Sequence, residues 1–234
     1  MKTNIKKTAG GAILMDGNVV AETVQTKIAK QLSQFPNIKV TLATVLIGDD
    51  PASGLYVGMK QKRAAAVGMQ SKHVQLPGDI TMQQASEEIT KLVEDDSVHG
   101  ILIQLPLPKQ LDTHEIIDLL PPEKDVDGLS KNNLGKLLRG TPGLVPCTPL
   151  GVMRILEHYE IETSGKRAVV IGRSTLVGLP QVLLLGRKGV DTTVTLAHSR
   201  TGDIGEVTKS ADIVVAAAGI AHLVKKQHLS LIHI

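Results

Sequence analysis

Apolar positions along the chain alternate between the spacing of helices and the continuous runs of buried strands. Between residues 20 and 32 an apolar residue recurs every four positions, which predicts an amphipathic opening helix. The runs VTLATVLI at residues 40–47 and GILIQ at residues 100–104 predict strands, the second buried on both faces as in a parallel sheet. Helices at about residues 52–67 and 82–93 and a weak strand at residues 73–76 complete a βα alternation.

The alternation is interrupted once and then restarts. Residues 120–149 are rich in proline and glycine (PPEKDVDG, NNLG, RGTPG, PCTP) and contain one short helical piece, so we place the domain boundary there, between residues 1–148 and 149–234. A helix at about residues 150–159 follows. Strands at residues 168–171, 193–197 and 212–216 and a helix at residues 179–187 then predict a mononucleotide-binding βαβαβ unit, and hence an α/β fold.

Charge and aromatic content argue against nucleic acid as the ligand. The 26 basic and 23 acidic residues are interspersed, and the net charge is only +3. The aromatic side chains are Phe35, Tyr56 and Tyr159, so a platform for stacking bases is hard to build. A mildly positive surface suits a small anionic ligand better.

The sequence also bears on the compartment. The apolar patch after the first lysines covers only residues 12–15, which does not fit a signal peptide. No window approaches the roughly 20 apolar residues of a membrane span. The single cysteine, Cys147, cannot form an internal disulfide, which suits a reducing environment. We therefore expect a cytoplasmic protein that does not contact the membrane.

The sequence AVVIGRSTLVGLP predicts a strand, a turn and a helix, with glycines at Gly172 and Gly178. Such glycines let the backbone approach a pyrophosphate at a helix N-terminus, where unpaired N–H groups favour anions. Ser174 replaces the middle glycine of the usual dinucleotide motif. The turn alone is therefore a weak signal, and an ordinary βα turn is the alternative.

The end of the next predicted strand favours NADP over NAD. NAD-binding folds usually carry an acidic residue there, which holds the ribose hydroxyls. This chain instead has His198, Ser199, Arg200 and Thr201. Hydroxyls and a guanidinium suit a 2′-phosphate, and the carboxylate that would repel it is missing. The alternative is a polar loop with a solvated arginine.

In the first half, Ser53, Tyr56 and Lys60 recur at i, i+3 and i+7 and so share one face of the predicted helix. This helix follows the carboxyl end of a strand, where sheet enzymes bind ligands. A lysine there suits proton transfer, and the phenol suits holding the lysine or the substrate. Most Y-x-x-x-K pairs are a packed tyrosine and a surface lysine, so a structural role is the alternative.

Two further segments carry polar residues that are expected to converge on the same site. Gln104 ends an apolar strand, and the segment LPLP after it fixes the angle at which the amide is presented. The sequence KDVDG places Asp125 and Asp127 on the loop that enters the interdomain region. The alternative for each residue is a purely structural role: Gln104 only ends a strand, and Asp127 only caps a turn beside Gly128. We predict no metal site.

In their order along the chain, the segments VLIGDDPASGLYVGMK, GILIQLPLP, PPEKDVDG, PCTPLGV, VVIGRSTLVGLP, AHSRT and ADIVVAAAG resemble the methylenetetrahydrofolate dehydrogenase/cyclohydrolase family. The resemblance runs from Leu14 to about Val224. It implies an N-terminal three-layer α/β substrate domain, a Rossmann-like NADP-binding domain with a parallel sheet, and a cleft between them. The implied reactions are oxidation of 5,10-methylenetetrahydrofolate by NADP and hydrolysis of the methenyl product to 10-formyltetrahydrofolate. A homodimer is implied as well.

The resemblance also implies roles for single residues. Lys60 is the essential residue of the hydrolysis, and Gln104 orients it. Tyr56 lines the site against the folate, and Asp127 holds the pterin amino groups. The resemblance and the turn and strand-end patterns described above together give one set of cofactor-binding residues. They are Gly172, Arg173, Ser174, Gly178, Ser199 and Arg200.

The C-terminal end departs from the family pattern. Family members continue past Ala218 and Gly219 with a further strand, a segment over the nicotinamide and a final helix, whereas this chain ends in QHLSLIHI. We therefore expect a truncated member with an incomplete cofactor domain, and a non-catalytic remnant is the first alternative. A short-chain dehydrogenase is the second, although its glycine-rich turn would precede the tyrosine.

Overall fold

A computed structural model describes residues 6–8 and 11–229, with side chains for all of these except Ala52. Residues 230–234, which belong to the atypical C-terminal sequence, lie outside the described part. In the first half the elements are α1 (Gly17–Leu32), β1 (Thr41–Ile47), α2 (Pro51–Ala66), β2 (Gln70–Leu76), α3 (Met82–Glu94), β3 (Gly100–Ile103), α4 (Thr113–Asp118) and α5 (Lys131–Arg139). In the second half they are α6 (Cys147–His158), β4 (Arg167–Ile171), α7 (Gly178–Gly186), β5 (Thr193–Ala197), α8 (Ile204–Lys209), β6 (Ile213–Ala216) and a 3₁₀ helix (Lys226–His228).

The chain forms two compact units. The first-half unit comprises residues 21–136 and 142–145, and the second-half unit comprises residues 137–141, those from 146 onward and the described residues up to Val20. The Tyr159 hydroxyl links the N-terminal segment to α6, since it accepts a hydrogen bond from the Asp16 N–H at 2.8 Å and donates one to the Asp16 carbonyl at 3.3 Å. This contact explains why the first residues belong with the second-half unit.

The sheet of the first-half unit is parallel, with strand order β2-β1-β3. Its central strand β1 is buried along almost its whole length, with Ala43 and Val45 fully inaccessible. Helix α3 covers the sheet with residues spaced four and three apart, Ala85, Ile89 and Leu92. A capping box between Thr81 and Gln84 begins that helix, satisfying N–H groups of its first turn.

The second-half unit contains another parallel sheet, with order β5-β4-β6. The central strand β4 is buried at Ala168 and at the three residues after it. Leu184 and Leu185 of α7 are fully buried. The predicted α/β class with a βαβαβ second half is therefore confirmed, and both sheets have their first strand in the centre.

Several elements differ from the predictions. Strand β2 begins at Gln70 and not at residue 73, because it pairs with all of β1 although most of its side chains are exposed. Helix α6 begins at Cys147, three residues before the predicted start, since a proline is tolerated in the first turn of a helix. Helix α4 was not predicted, and α8, the second helix of the predicted βαβαβ unit, had no predicted range. Each has only six residues, too few for an apolar period to emerge, and each is begun by an aspartate cap, Asp112 or Asp203. No helix in the described ranges has the length and apolar character needed to cross a membrane.

Candidate active site

Lys60 and Gln104 form a direct hydrogen bond. The Lys60 ammonium donates to the Gln104 Oε1 at 3.1 Å, across 44 positions of sequence. The other amide atom of Gln104, Nε2, donates to the Leu105 carbonyl at 2.8 Å. Because an ammonium can only donate, both contacts require the same amide orientation, with Oε1 toward the lysine. Both polar atoms of the Gln104 amide are therefore hydrogen-bonded, which fixes the orientation in which the amide meets Lys60.

The backbone explains why these two side chains meet. Gln104 directly follows β3, and its N–H donates to the Val45 carbonyl of β1 at 2.8 Å, so the parallel pairing continues to this residue. Lys60 lies in the third turn of α2, the helix that follows the carboxyl end of β1. Both residues are thus carried to one edge of the same sheet, where parallel α/β proteins bind ligands.

Helix α2 begins with a strong local signal. The Asp50 side chain accepts from the Ser53 N–H at 2.8 Å, and Pro51 occupies the first helical position. Hydrogen bonds from the Ser53 side chain and backbone lower the pKa of Asp50 below its ordinary value. An Asp-Pro pair, with the aspartate as cap and the proline as first helical residue, is a helix-start signal that could have been recognised in the sequence.

Tyr56 lies one turn before Lys60 on α2 and leaves 56% of its surface exposed. An exposed phenol ring has a free face for stacking against a flat ligand. Ser53, predicted on the same face, is 3% exposed and instead belongs to the start of the helix. Of the three residues predicted on this face, Tyr56 and Lys60 are thus at least partly exposed, whereas Ser53 is buried.

Asp125 and Asp127 occupy different environments. Asp125 is 1% exposed, and its carboxylate accepts from the Ser130 N–H at 2.8 Å and from Asn133 Nδ2 at 2.9 Å. It also forms a parallel bridge with Ile101 of β3. Asp127 is half-buried two residues later, in a turn that follows the bridge to β3. Of the two aspartates, Asp127 is thus the more exposed.

In the second-half unit, two glycines allow a close backbone approach. Gly172 has φ +121°, and a Cβ there would overlap the Ala217 carbonyl oxygen. A Cβ on Gly178 would overlap the carbonyl oxygen of Gly172. The Ser174 hydroxyl accepts from the Val177 N–H at 3.2 Å and so supports the turn before α7. Both glycines are therefore required by packing, whatever the turn binds.

A cavity of about 320 Å³ opens beside this turn. Its walls combine an apolar floor with polar groups, and they consist of Ile171, Gly172, Arg173, Ser174, His198, Ser199, Ile204, Ala217, Ala218, Ile220 and Leu223. Gly172, Arg173, Ser174 and Ser199 of the predicted set thus meet at one cavity. Gly178 and Arg200 are not in its wall, although Gly178 packs against the Gly172 backbone.

The segment after β5 forms a tight turn at this cavity. Its contacts are a hydrogen bond from the His198 N–H to the Thr201 hydroxyl at 2.9 Å and one from the Arg200 N–H to His198 Nδ1 at 3.1 Å. These bonds hold Ser199 at the cavity rim. Within the described ranges, no three His, Cys, Asp or Glu side chains cluster as a metal site would require.

Two family models match the chain. Residues 15–127 match the catalytic domain of tetrahydrofolate dehydrogenase/cyclohydrolase, and residues 146–232 match its NAD(P)-binding domain. The chain belongs to the tetrahydrofolate dehydrogenase/cyclohydrolase family. The resemblance inferred from the sequence motifs is thereby confirmed, and the alternative of a short-chain dehydrogenase is set aside.

Relatives in this family align with nearly the whole chain. The bifunctional protein FolD of Chlamydia abortus is 46% identical over 221 residues, which cover 93% of this chain and 77% of that protein. FolD of Zymomonas mobilis is 47% identical over 221 residues, covering 93% of this chain and 74% of its own length.

Solved structures of family members have the same fold. The FolD methylenetetrahydrofolate dehydrogenase/cyclohydrolase of Campylobacter jejuni is 38% identical with a TM-score of 0.88, covering 92% of this chain and 77% of that one. The Trypanosoma brucei enzyme, solved with NADP cofactor and inhibitor, is 36% identical with a TM-score of 0.89, covering 94% of this chain and 76% of that one.

Proposed function

We propose that this chain is a bifunctional enzyme that oxidises 5,10-methylenetetrahydrofolate with NADP and hydrolyses the resulting methenyl group to 10-formyltetrahydrofolate. The family match supports both activities. The observation that carries the assignment of the site is the Lys60–Gln104 hydrogen bond at a ligand-binding sheet edge. The domain boundary at residues 148–149 stays a prediction.

The cavity beside Gly172 has the properties that NADP requires. A Cβ at either glycine of the turn would overlap backbone oxygens, so the chain keeps the bare backbone that a pyrophosphate needs. Arg173 and Ser199 line the same cavity and offer donors for a 2′-phosphate. When bound, NADP accepts a hydride from the methylene carbon. Ser174 supports the turn, and we place Arg200 near the phosphate as a further charge.

For the hydrolysis, we assign proton handling to Lys60. Water adds to the methenyl carbon and loses one proton; the bond from this carbon to N5 then breaks as the remaining hydroxyl proton is transferred to N5, which leaves the formyl group on N10. The hydrogen bond between Lys60 and Gln104 supports a role for Lys60 in holding the water and relaying the hydroxyl proton to N5, with Gln104 keeping the lysine in place. Tyr56 offers an exposed ring to the folate. The Asp127 carboxylate suits the pterin amino groups, which are donors.

The decisive experiment measures both reactions on the wild-type chain and on Lys60→Met. We expect NADP-dependent oxidation and methenyl hydrolysis in the wild type. In the variant, hydrolysis should be lost while folate binding persists, because methionine keeps the length of the side chain but has no proton to exchange. Lys62→Met, at an exposed position of the same helix, is the matched control and should retain hydrolysis. Full hydrolysis by Lys60→Met would contradict the assignment.

We also propose that the enzyme is a cytoplasmic homodimer. The support is the family to which the chain belongs together with its single cysteine, which suits a reducing compartment. Sedimentation analysis should give a particle of twice the chain mass of 24.9 kDa. A particle of single-chain mass at micromolar concentration would contradict the dimer.

A further inference from the structure

The segment of residues 122–130, which carries Asp127, is tied to α5 by a buried carboxylate. Asp125 accepts from the Leu129 N–H at 3.2 Å, the Ser130 N–H at 2.8 Å and Asn133 Nδ2 at 2.9 Å. All three donors belong to the chain itself, and the residue is 1% exposed. The buried Asp125 carboxylate therefore binds two backbone N–H groups and one side-chain amide of the protein and is not a ligand-binding group.

Asn133 closes this arrangement from the helix side. It is fully buried, and its Nδ2 donates both to the Asp125 carboxylate and to the Pro122 carbonyl, each at 2.9 Å. One amide group thus holds the beginning of the segment and the residue two positions before Asp127. A buried group with two such bonds has little freedom to move.

The segment is also held by α3 and β3. The Lys124 ammonium donates to the Val93 carbonyl at 2.8 Å and to the Asp95 carbonyl at 3.0 Å, at the end of α3. The Lys124 carbonyl accepts from the Ile101 N–H at 2.7 Å. Gly100 has no room for a Cβ, because it would overlap the Val126 side chain. The segment is therefore anchored immediately before Asp127 as well as after it.

Between these anchors Asp127 is half-buried, inside a turn closed by the Gly128 N–H donating to the Asp125 carbonyl at 3.0 Å. We propose that Asp125 and Asn133 are positioning residues that hold the Asp127 carboxylate in a fixed direction for the pterin ring. This inference rests on the proposed function, in which Asp127 binds the pterin. The first aspartate of KDVDG acts through the second, and neither Asp125 nor Asn133 touches the folate.

The test is Asp125→Asn, measured alone and in an Asp127→Ala background. This substitution replaces one carboxylate oxygen by an NH₂ group, which then faces an N–H donor and cannot accept from it. The segment thereby loses a hydrogen bond that holds it in place. We expect the folate KM to rise about tenfold or more with kcat within about twofold. The NADP KM should be unchanged, since the nucleotide cavity belongs to the other unit. In the Asp127→Ala background the same substitution should cause no further rise.

Two other variants complete the design. Lys124→Met removes the two bonds to the end of α3 and should raise the folate KM in the same direction, which provides a test if Asp125→Asn does not fold. Glu123→Gln, at an exposed position of the same segment, is the control and should behave as the wild type. Thermal unfolding of each variant shows that the folded enzyme is being measured.

Three outcomes would overturn the inference, and each is distinct from failure of the proposed function. The first is an unchanged folate KM in both Asp125→Asn and Lys124→Met while Asp127→Ala raises it. The second is an equal effect of Asp125→Asn in both backgrounds, which would mean that the effect does not pass through Asp127. The third is an active enzyme in which Asp127→Ala leaves the folate KM unchanged. A wild-type chain that catalyses neither reaction would instead refute the proposed function itself.

Discussion

The side-chain amide of Gln104 decides where the Lys60 ammonium lies. A lysine has a long flexible stem, and holding its end in one place costs conformational entropy. Gln104 offsets part of this cost with a hydrogen bond whose direction is set by its own second bond to the Leu105 carbonyl. An ammonium held in this way can donate a hydrogen bond to a water molecule or a reacting group in one fixed geometry.

Arg173 is expected to distinguish NADP from NAD, since it lines the nucleotide cavity together with Ser199. Arg173→Ala should weaken NADP binding about tenfold to a hundredfold, because a charge-assisted hydrogen bond to the 2′-phosphate is lost. It should leave NAD binding almost unaffected. Michaelis constants for both cofactors provide the measurement. Arg187→Ala, at an exposed position just after α7, should change neither constant. If Arg173→Ala weakened the binding of NADP and of NAD equally, this arginine would not recognise the 2′-phosphate.

Gln181 has an unsatisfied side-chain oxygen in the core of the second-half unit. It is fully buried on α7, where Nε2 contacts the Met153 sulfur at 3.4 Å and Oε1 has no hydrogen-bond partner among the described residues. Gln181→Met keeps the volume and removes the buried amide, so we expect the free energy of unfolding to rise by about 1–2 kcal/mol. A higher urea midpoint at constant m-value is the readout.

Gln31→Met, on the exposed side of α1, is the control for this substitution and should leave the urea midpoint unchanged. A lower midpoint for Gln181→Met would show that the amide stabilises the fold despite its unpaired oxygen.

At the scale of elements, the position of α2 depends on its first turn. This helix carries Tyr56 and Lys60, and its Asp50 cap with Pro51 fixes the residue at which it begins. One residue of slippage would rotate each side chain by about 100° around the helix axis. The cap therefore helps to determine which residues face the ligand-binding edge as well as the stability of the helix.

The Asp50 cap also predicts a dependence on pH. Its pKa is lowered in the folded state by hydrogen bonds from Ser53, so its stabilising contribution is present above the unfolded pKa of about 4 and is lost as the pH falls through the folded value. Asp50→Asn keeps a capping oxygen but no charge. Near neutral pH the wild type should melt at a higher temperature than this variant, and the difference should close as the pH falls below about 4.

Thermal unfolding across this pH range is the measurement, and Asp49→Asn at the neighbouring exposed position is the control. A difference between the wild type and Asp50→Asn that stays constant down to acid pH would contradict the contribution of the carboxylate.

At the scale of the whole molecule, two parallel sheets with the same kind of strand order carry two different sets of groups. The first-half unit holds the Lys60–Gln104 pair, and the second-half unit holds the glycine turn and its cavity. The oxidation needs a nucleotide, whereas the hydrolysis consumes only water and folate. The division of residues between units therefore predicts that the two activities can be separated by substitution.

Gly172→Ala tests this separation. The added Cβ would overlap the Ala217 carbonyl oxygen, and the φ of +121° is unfavourable for alanine, so we expect NADP-dependent oxidation to fall about tenfold or more. Hydrolysis of methenyltetrahydrofolate should stay within about twofold of the wild type, because Lys60 and Gln104 lie in the other unit. Assaying each reaction separately provides the comparison.

Gly186→Ala is the matched control for Gly172→Ala, because a Cβ there meets only ordinary van der Waals contacts. It should retain both activities. Loss of both activities in Gly172→Ala, in a protein that still melts cooperatively, would show that the units do not act separately.

The sequence by itself determined the features that depend on neighbouring residues. The apolar runs predict the central strands β1 and β4, and the glycine spacing predicts the turn before α7. The order of the motifs predicts the family, because each motif records a local demand for a particular residue type. These features require no knowledge of how distant segments meet.

Only the tertiary structure decided which polar groups meet. The Lys60–Gln104 bond spans 44 positions and exists because β1 and β3 pair in parallel. The division of KDVDG into a buried Asp125 and a half-buried Asp127 depends on Asn133, which lies on a later helix. Such outcomes follow from hydrogen bonding between segments that the chain brings together only when it folds, so no local pattern contains them.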